Sequence, residues 1–437
     1  MKIKISLSLF LVFISSAFSQ EKINIDRSIE ITLENNLDIS FYENNMQIAK
    51  NNSSILNNGF LPSITINGDA NTNSQDIEIE TPSGLSGTLQ DSNTDNLSSN
   101  FSIIYNLIDG TGRKFNFQKS KELFKKSELE VKEIVENTVL QLYIIYFEVI
   151  RLMQEVEIIE SNLKISKERL KKKLLDNKYG QISSVELLSA EVDMNNDSIT
   201  LLSSVQKLNN TKRDLNLLMN VDLSKEFIYM SDYKLLNKEK LISIFENGTV
   251  GNTSLLISEK ESNISIIDEK RIKSTYLPTV GLIGSYGWNK SVNDNPFAFY
   301  NKSIFEGFTA GINIRWNLFN GGSRIISNKN AKINIENYKI SRQKLSDELT
   351  KEFINAYETH VNNLFILEAD KTNLKVNEKN FKVNLEKYNL GLLSSIQFRS
   401  AQLKLMKAKL SSITSKNNAI ISEAYFLKLS GKILSKG

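Results

Sequence analysis

The chain has 437 residues, no cysteine, a single histidine and nearly balanced charge, 54 basic against 50 acidic residues. This composition excludes a disulfide scaffold and a cysteine-linked lipid anchor, and it offers no basic footprint for nucleic acid. At 40% hydrophobic residues, the chain can build a sizeable core.

Residues 1–19 carry Lys2 and Lys4, an apolar stretch from Ile5 to Ile14, and the small-residue exit Ala17-Phe18-Ser19. They read as a secretory signal peptide cleaved before Gln20. Without Lys2 and Lys4 the mature balance is 52 basic residues against 50 acidic. No later uncharged apolar run is long enough to span a bilayer as a helix. The most apolar stretch, from Val139, is interrupted by Gln141, Glu148 and Arg151.

Beyond the signal, two repeats are expected, 20–235 and 236–437. Helix-like spacing over 26–58 precedes Leu61-Pro62 and a strand at 62–70. A long polar stretch near 71–100 reads as a loop, and a second strand follows at 100–108, where Phe101, Ile103, Tyr105 and Leu107 alternate with Ser102 and Asn106, Ile104 being the exception. From 113 to 179 the pattern turns helical, about 100 Å at ~1.5 Å per residue. A break at 180–183 precedes a shorter helix, 184–219. The second copy repeats the order: helix 238–275, Leu277-Pro278, strand 278–288, polar loop 289–303, strand 307–318, helix 323–390, break 391–394, helix 395–430.

Correspondence between the copies carries the repeat reading. YNLIDG from Tyr105 answers WNLFNG from Trp316, and KYGQISSV from Lys178 answers KYNLGLLSSI from Lys387. Gly110 and Gly321 are 211 residues apart, as are Gly180 and Gly391. The four prolines, Pro62, Pro82, Pro278 and Pro296, fall in two pairs, leaving both long helical stretches free of proline. Heptad-like spacing at Val156, Ile159, Leu163 and Leu170, and at Leu367, Leu374, Phe381 and Tyr388, suits coiled-coil packing. Each break is a helical hairpin tip. Gly180 and Gly391 supply the left-handed residue that ends a helix. Ser183 and Ser394 cap the next one, with Glu186 and Gln397 completing a capping box.

The strands alternate apolar and polar residues, most strictly from Phe308 to Leu318. One apolar and one polar face suit a barrel between lipid and water. Four strands cannot close one, and open edges are not tolerated in hydrocarbon, so the strands must be shared in a homo-oligomer. Trp288, Trp316, Tyr286 and Tyr300 suit a membrane interface or ordinary strand packing equally well. Enzyme chemistry has no support: there is no nucleophile–base set or phosphate loop, and His360 stands without a second histidine or a cysteine. Carboxylate pairs such as Glu128/Glu130 lie two apart on a helix and point to different faces.

In this order, twice, these features resemble the TolC-like outer membrane factor family. The carriers are the duplicated unit, both Leu-Pro entries, LENNLDI from Leu33, NLFNGG from Asn317 and KYNLGLLSS from Lys387. The resemblance implies a mixed α+β membrane protein of the outer membrane, its long antiparallel coiled-coil hairpins forming a periplasmic tunnel. A homotrimer would share a twelve-stranded transmembrane β-barrel. As a passive channel it would carry small molecules or secreted polypeptides from a periplasmic adaptor and an inner-membrane pump of the resistance–nodulation–division, ABC or major-facilitator type. No cofactor or metal is implied.

By the same resemblance, the adaptor would meet the tips at Gly180, Gln181, Ile182, Ser183, Gly391, Leu392, Leu393 and Ser394. Tyr388 and Glu186 occupy positions of the family's periplasmic gate. Gln397 and Ser400 stand where the family carries paired aspartates, with Arg399 between them, so an acidic ring is not expected. The alternative reading is an exported coiled-coil scaffold without transport activity, against which the amphipathic strands argue.

Overall fold

The computed structural model describes residues 21–296 and 298–436. The signal-peptide expectation, 1–19, lies outside them. In chain order the elements are β1 (Glu21–Ile23), α1 (Ile25–Asn35), α2 (Leu37–Asn52), β2 (Ser63–Glu80), β3 (Ser86–Asp109), α3 (Gly112–Lys178), α4 (Ser184–Leu218), β4 (Phe227–Tyr229), α5 (Lys238–Asn247), α6 (Thr253–Ser274), β5 (Thr279–Asn293), β6 (Lys302–Arg315), α7 (Ser323–Asn389) and α8 (Ser395–Leu429). Among the described residues, no helix is long and apolar enough to cross a membrane. α3 and α7 are both 67 residues long, and α4 and α8 both 35. The chain divides into two units.

The first unit takes 21–40, 133–252 and 348–436 of the described residues. Its core forms where the apolar stretch of α3 turns its residues inward. Leu142, Tyr146 and Leu152 are fully buried with Ile23, Leu215 and Met219. Burying each large side chain of this kind contributes about 1.5–3 kcal/mol. β1 and β4, which the sequence pattern did not reveal, pair in parallel. Tyr146 ties that pair to the core, its Oη 2.9 Å from the carbonyls of Ile23 and Met230.

Two expected helices prove to be broken. The first stops at Asn36, whose side chain accepts from the N–H groups of Asp38 and Ile39 and donates to the Leu218 carbonyl at 2.9 Å. One amide therefore ends α1, starts α2 and anchors the end of α4. The second breaks between Gly248 and Asn252, and Asn252 donates to the Leu429 carbonyl at the end of α8. The chain turns there against Gly431, where an added Cβ would lie 2.2 Å from the Gly251 carbonyl oxygen. Only glycine fits.

The second unit takes 41–132 and 253–347. It contains an antiparallel sheet in the order β2-β3-β5-β6, with β2 and β6 at the two edges. The register aligns Ile66, Phe101, Tyr286 and Phe308 in one row, and Tyr105, Leu282 and Ile312 in another. On the opposite face Thr65, Ser102, Ser285 and Thr309 are aligned, with Thr65 and Ser102 hydroxyls 2.7 Å apart. The sheet thus has an apolar face and a mainly polar one, the latter interrupted by the pair Ile104 and Ile283.

Its strands depart from the expected limits. The stretch near 71–100 is mainly a long β2–β3 hairpin rather than a loop, turning at Thr81–Leu85. Its Asn, Ser and Thr residues carry no hydrophobic period, yet they pair along the ladder: Thr72 Oγ1 donates to Asp95 at 2.7 Å and Asn96 Nδ2 to Asn71 at 3.2 Å. β5 likewise runs on to Asn293, and β6 starts at Lys302 rather than 307. β6 also ends at Arg315 rather than 318. The Arg324 guanidinium takes the carbonyls of Asn317 and, at 2.8 Å, of Thr275, and the indole of Trp316 donates to the Tyr276 carbonyl at 3.1 Å. Arg113 does the corresponding work in the first half, donating to Gly59 and Leu107 carbonyls at 3.0 and 2.9 Å.

Candidate functional site at the hairpin tips

Both tips lie in the first unit, and their backbones are the same. At the first, Gly180 adopts φ 70°, its N–H donates to the Asn177 carbonyl, and the Gln181 N–H donates to Asp176 at 2.9 Å. At the second, Gly391 adopts φ 75°, its N–H reaches Tyr388, and the Leu392 N–H reaches Lys387 at 2.9 Å. This double bond with a left-handed residue is the Schellman closure that the glycines require. Apolar side chains remain exposed around both turns: Tyr179, Val185 and Leu188 at one, Leu390, Leu392 and Ile396 at the other.

The restarts differ. Ser394 and Gln397 form the expected capping box, Gln397 N donating to Ser394 Oγ at 3.3 Å and Ser394 N to Gln397 Oε1 at 3.1 Å. Ser183 makes no side-chain cap bond. Its expected partner, Glu186, instead accepts from Lys173 Nζ at 2.8 Å. A charged donor on α3 outcompetes a neutral backbone N–H.

Glu186, Tyr388 and Arg399 line one cavity of about 810 Å³, together with tip residues Gln181, Ile182, Gly391, Leu393 and Ser394. Tyr388 and Glu186 make no hydrogen bond to one another. Tyr388 is buried and stacks on Phe398 with centroids 4.4 Å apart, while Lys172 Nζ sits 4.8 Å from its ring centre. Its hydroxyl has no hydrogen-bond partner. Gln397 is occupied by its cap, and Ser400 is exposed.

Arg399 is held inside the chain. Its two terminal nitrogens donate to the two carboxylate oxygens of Asp197, each at 2.8 Å, and Nη1 also reaches Ser166 Oγ at 3.0 Å. Asp197 further accepts from Ser166 at 2.5 Å. One helical turn away, Gln402 donates to Asn162 Oδ1 at 2.8 Å and to Ser166 Oγ at 3.1 Å. Arg169 pairs with Asp193. This network joins α8 to α3 and α4 through groups that are almost wholly buried: Asp197 is 6% exposed, Ser166 0% and Gln402 2%.

The sequence singled out Arg399 but not its partners. The signal was present, because Asn162, Ser166, Arg169 and Lys173 recur at spacings of four, three and four. That is core spacing occupied by polar residues. His360, also at 0% exposure, sits elsewhere in the unit, with Nδ1 3.0 Å from Ser422 Oγ and Nε2 3.8 Å from Glu423.

No protein-family model matches this sequence, and no curated protein matches it significantly. Solved structures do. The Campylobacter jejuni CmeC outer membrane channel superposes with a TM-score of 0.76 at 16% identity, over 94% of this chain and 86% of that one. The outer membrane protein VceC of Vibrio cholerae gives 0.73 at 12% identity, over 93% and 96%. The fold is that of the TolC-like outer membrane channels. The open-state MtrE outer membrane channel of Neisseria gonorrhoeae gives 0.68 at 14% identity, over 94% and 89%. At such identities the likeness is one of fold, and site residues must be argued from this chain alone.

Proposed function

We propose that the chain is one subunit of a passive outer-membrane channel-tunnel, carrying small molecules or secreted polypeptides to the cell exterior. The observation that carries this reading is the sheet of the second unit. Its apolar rows leave Phe308, Ile312 and Ile314 about 70% exposed, and among the described residues its β2 and β6 edges have no partner strand. In water such a surface invites aggregation. In a bilayer it is the required outer surface of a barrel, provided further copies supply the missing strands. From Glu306, opposite Trp288, to Trp316 is about 33 Å of extended chain, or about 25 Å once tilted as barrel strands are. That matches an apolar band with an aromatic residue at either border.

The helices of the first unit support an oligomer independently. α4 exposes Val185, Val192 and Ile199, and α7 exposes Val376 and Val383, with exposed Leu390 just past its end; each set has seven-residue spacing. Such seams are built to be covered by another helix. A homotrimer would complete a twelve-stranded barrel. The exposed apolar turns at Gly180–Ser183 and Gly391–Ser394 are the surfaces offered to a periplasmic adaptor, and through it to an inner-membrane pump. Separating the hairpins at the tips would require the Arg399–Asp197 pair to part, which makes that pair a stronger gate element than Tyr388 with Glu186.

Single-channel recording of the detergent-purified protein in planar bilayers, with its mass in detergent, tests the reading. A trimer that opens ion-conducting steps supports it, and a non-conducting monomer overturns it in favour of a coiled-coil scaffold.

A further inference from the structure

The β2–β3 hairpin outlasts the sheet to which it belongs. β3 pairs with β5 only as far as Thr94 with Asn293, whereas β2 and β3 remain paired up to Glu80 with Ser86. Past that level the chain is a two-stranded arm. Its base is clamped by Asp294, which accepts from the Asn93 N–H at 2.8 Å and the Ser92 hydroxyl at 3.1 Å.

The polarity of the arm inverts along its length. Within the sheet, the face of Thr65 and Ser102 stays polar at every step of β2 through Asn67, Asp69, Asn71, Asn73 and Gln75, while Ile64 and Ile66 occupy the other face. Between Gln75 and Ile77 the register shifts, with Gln90 and Asp91 both opposing Asp76. Asp91 takes φ 58° there, and its N–H donates to Asp76 Oδ1 at 2.9 Å. The extra residue on β3 preserves facing pairs, and β2 alternates without interruption.

Ile77 and Ile79 therefore continue the polar face, opposite Leu89 and Gly87. Asp76, Glu78 and Glu80 continue the apolar one. The former water face has become apolar and the former lipid face acidic. Ile77, Ile79 and Leu89 are half-buried, Glu78 and Glu80 are exposed, and the chain has no lysine or arginine between Lys50 and Arg113.

A two-stranded ribbon is marginal in water unless its apolar face is covered. If the face of Thr65 and Ser102 lines a barrel, its continuation faces the barrel axis, where the arms of the other copies stand. Like-charged acidic faces repel, so only the apolar faces can meet. The free β2 and β6 edges of the same sheet already call for those copies. We propose that the arms of neighbouring subunits pack Ile77, Ile79 and Leu89 against one another as an apolar cap over the outer mouth, acidic faces outward. The proposal rests on the reading of the chain as a subunit of a homo-oligomeric channel.

Because the natural chain has no cysteine, Ile79→Cys and Glu78→Cys give clean probes of the two faces. Under mild oxidation of the full-length oligomer in detergent, Ile79→Cys should yield disulfide-linked dimers and Glu78→Cys should not. Absence of dimer from Ile79→Cys, or equal dimer from both, overturns the cap. The mass of the unsubstituted protein separates the two levels: a monomer sinks the channel reading itself, whereas an oligomer without the Ile79 cross-link sinks only the cap. The double substitution Ile77→Asn with Ile79→Asn should raise unit conductance at unchanged oligomer mass, and unchanged conductance would place the arms away from the mouth.

Discussion

The two hairpin tips share a backbone and differ in everything that follows it. Both close on a left-handed glycine with the same pair of hydrogen bonds. After the turn, Ser394 and Gln397 cap α8, whereas Ser183 leaves α4 without a side-chain cap because Glu186 is engaged by Lys173. A backbone turn is imposed by the local chain. A side-chain contact is decided by whatever the fold brings near it.

The largest expected effect lies beneath the tips, where the two hairpins are tied asymmetrically. Asp197→Ala would leave Arg399 buried without its bidentate partner, at a cost of about 3–5 kcal/mol. Thermal unfolding in detergent should show a lowered midpoint, and the pair Asp197→Ala with Arg399→Met should recover part of the loss. Full additivity of the two substitutions would mean that they do not interact.

Next, Gly180→Ala and Gly391→Ala should each cost about 1–2 kcal/mol, since both demand a left-handed residue. Their effects should be nearly equal, because neither site has an atom within 4 Å of the added Cβ. Unequal losses would break the equivalence of the two turns. Ser394→Ala should cost about 1 kcal/mol as a lost N-cap, and Ser183→Ala close to nothing. A measurable loss at Ser183 would restore the capping box that the structure lacks.

Tyr388→Phe should leave stability unchanged, because the hydroxyl it removes has no partner. Raised conductance in that variant would revive a gating role for Tyr388. The smallest effect concerns Asp294, whose carboxyl is held below the ordinary aspartate range by the Asn93 N–H and the Ser92 hydroxyl. A lowered folded pKa means that the clamp contributes fully above the unfolded value of about 3.9 and is lost as pH falls through the folded one. Exchange of the Asn93 amide should therefore be slower than in an Asp294→Ala variant near neutral pH, and that protection should be lost only in acid.

Much of the fold was legible from punctuation. Glycines at 180 and 391 and proline-free stretches mark helices whose limits the structure moves by one residue. Asn36 was not legible as a break, because its effect depends on the distant Leu218 carbonyl. The β2–β3 extension was hidden for a related reason: its polar residues satisfy one another across strands, so no apolar period announces it. At the site, Arg399 could be named from its place in the hairpin, but Asp197 and Ser166 lie 202 and 233 residues away in sequence.

By itself the sequence determined parts of the local chain: the limits of α3 and α7 to within a residue, the glycine turn at each tip, and the alternation along the strand segments it revealed. These follow from constraints acting within a few residues, namely the left-handed turn, the proline ring and the period of side chains. Only the tertiary structure decided which polar groups meet. Glu186 with Lys173, Asp197 with Arg399, and the inverted faces of the β2–β3 arm depend on what the fold brings together, and for Asp197 with Arg399 burial makes the choice binding, because an unpaired charge inside the fold costs more than any single turn contributes.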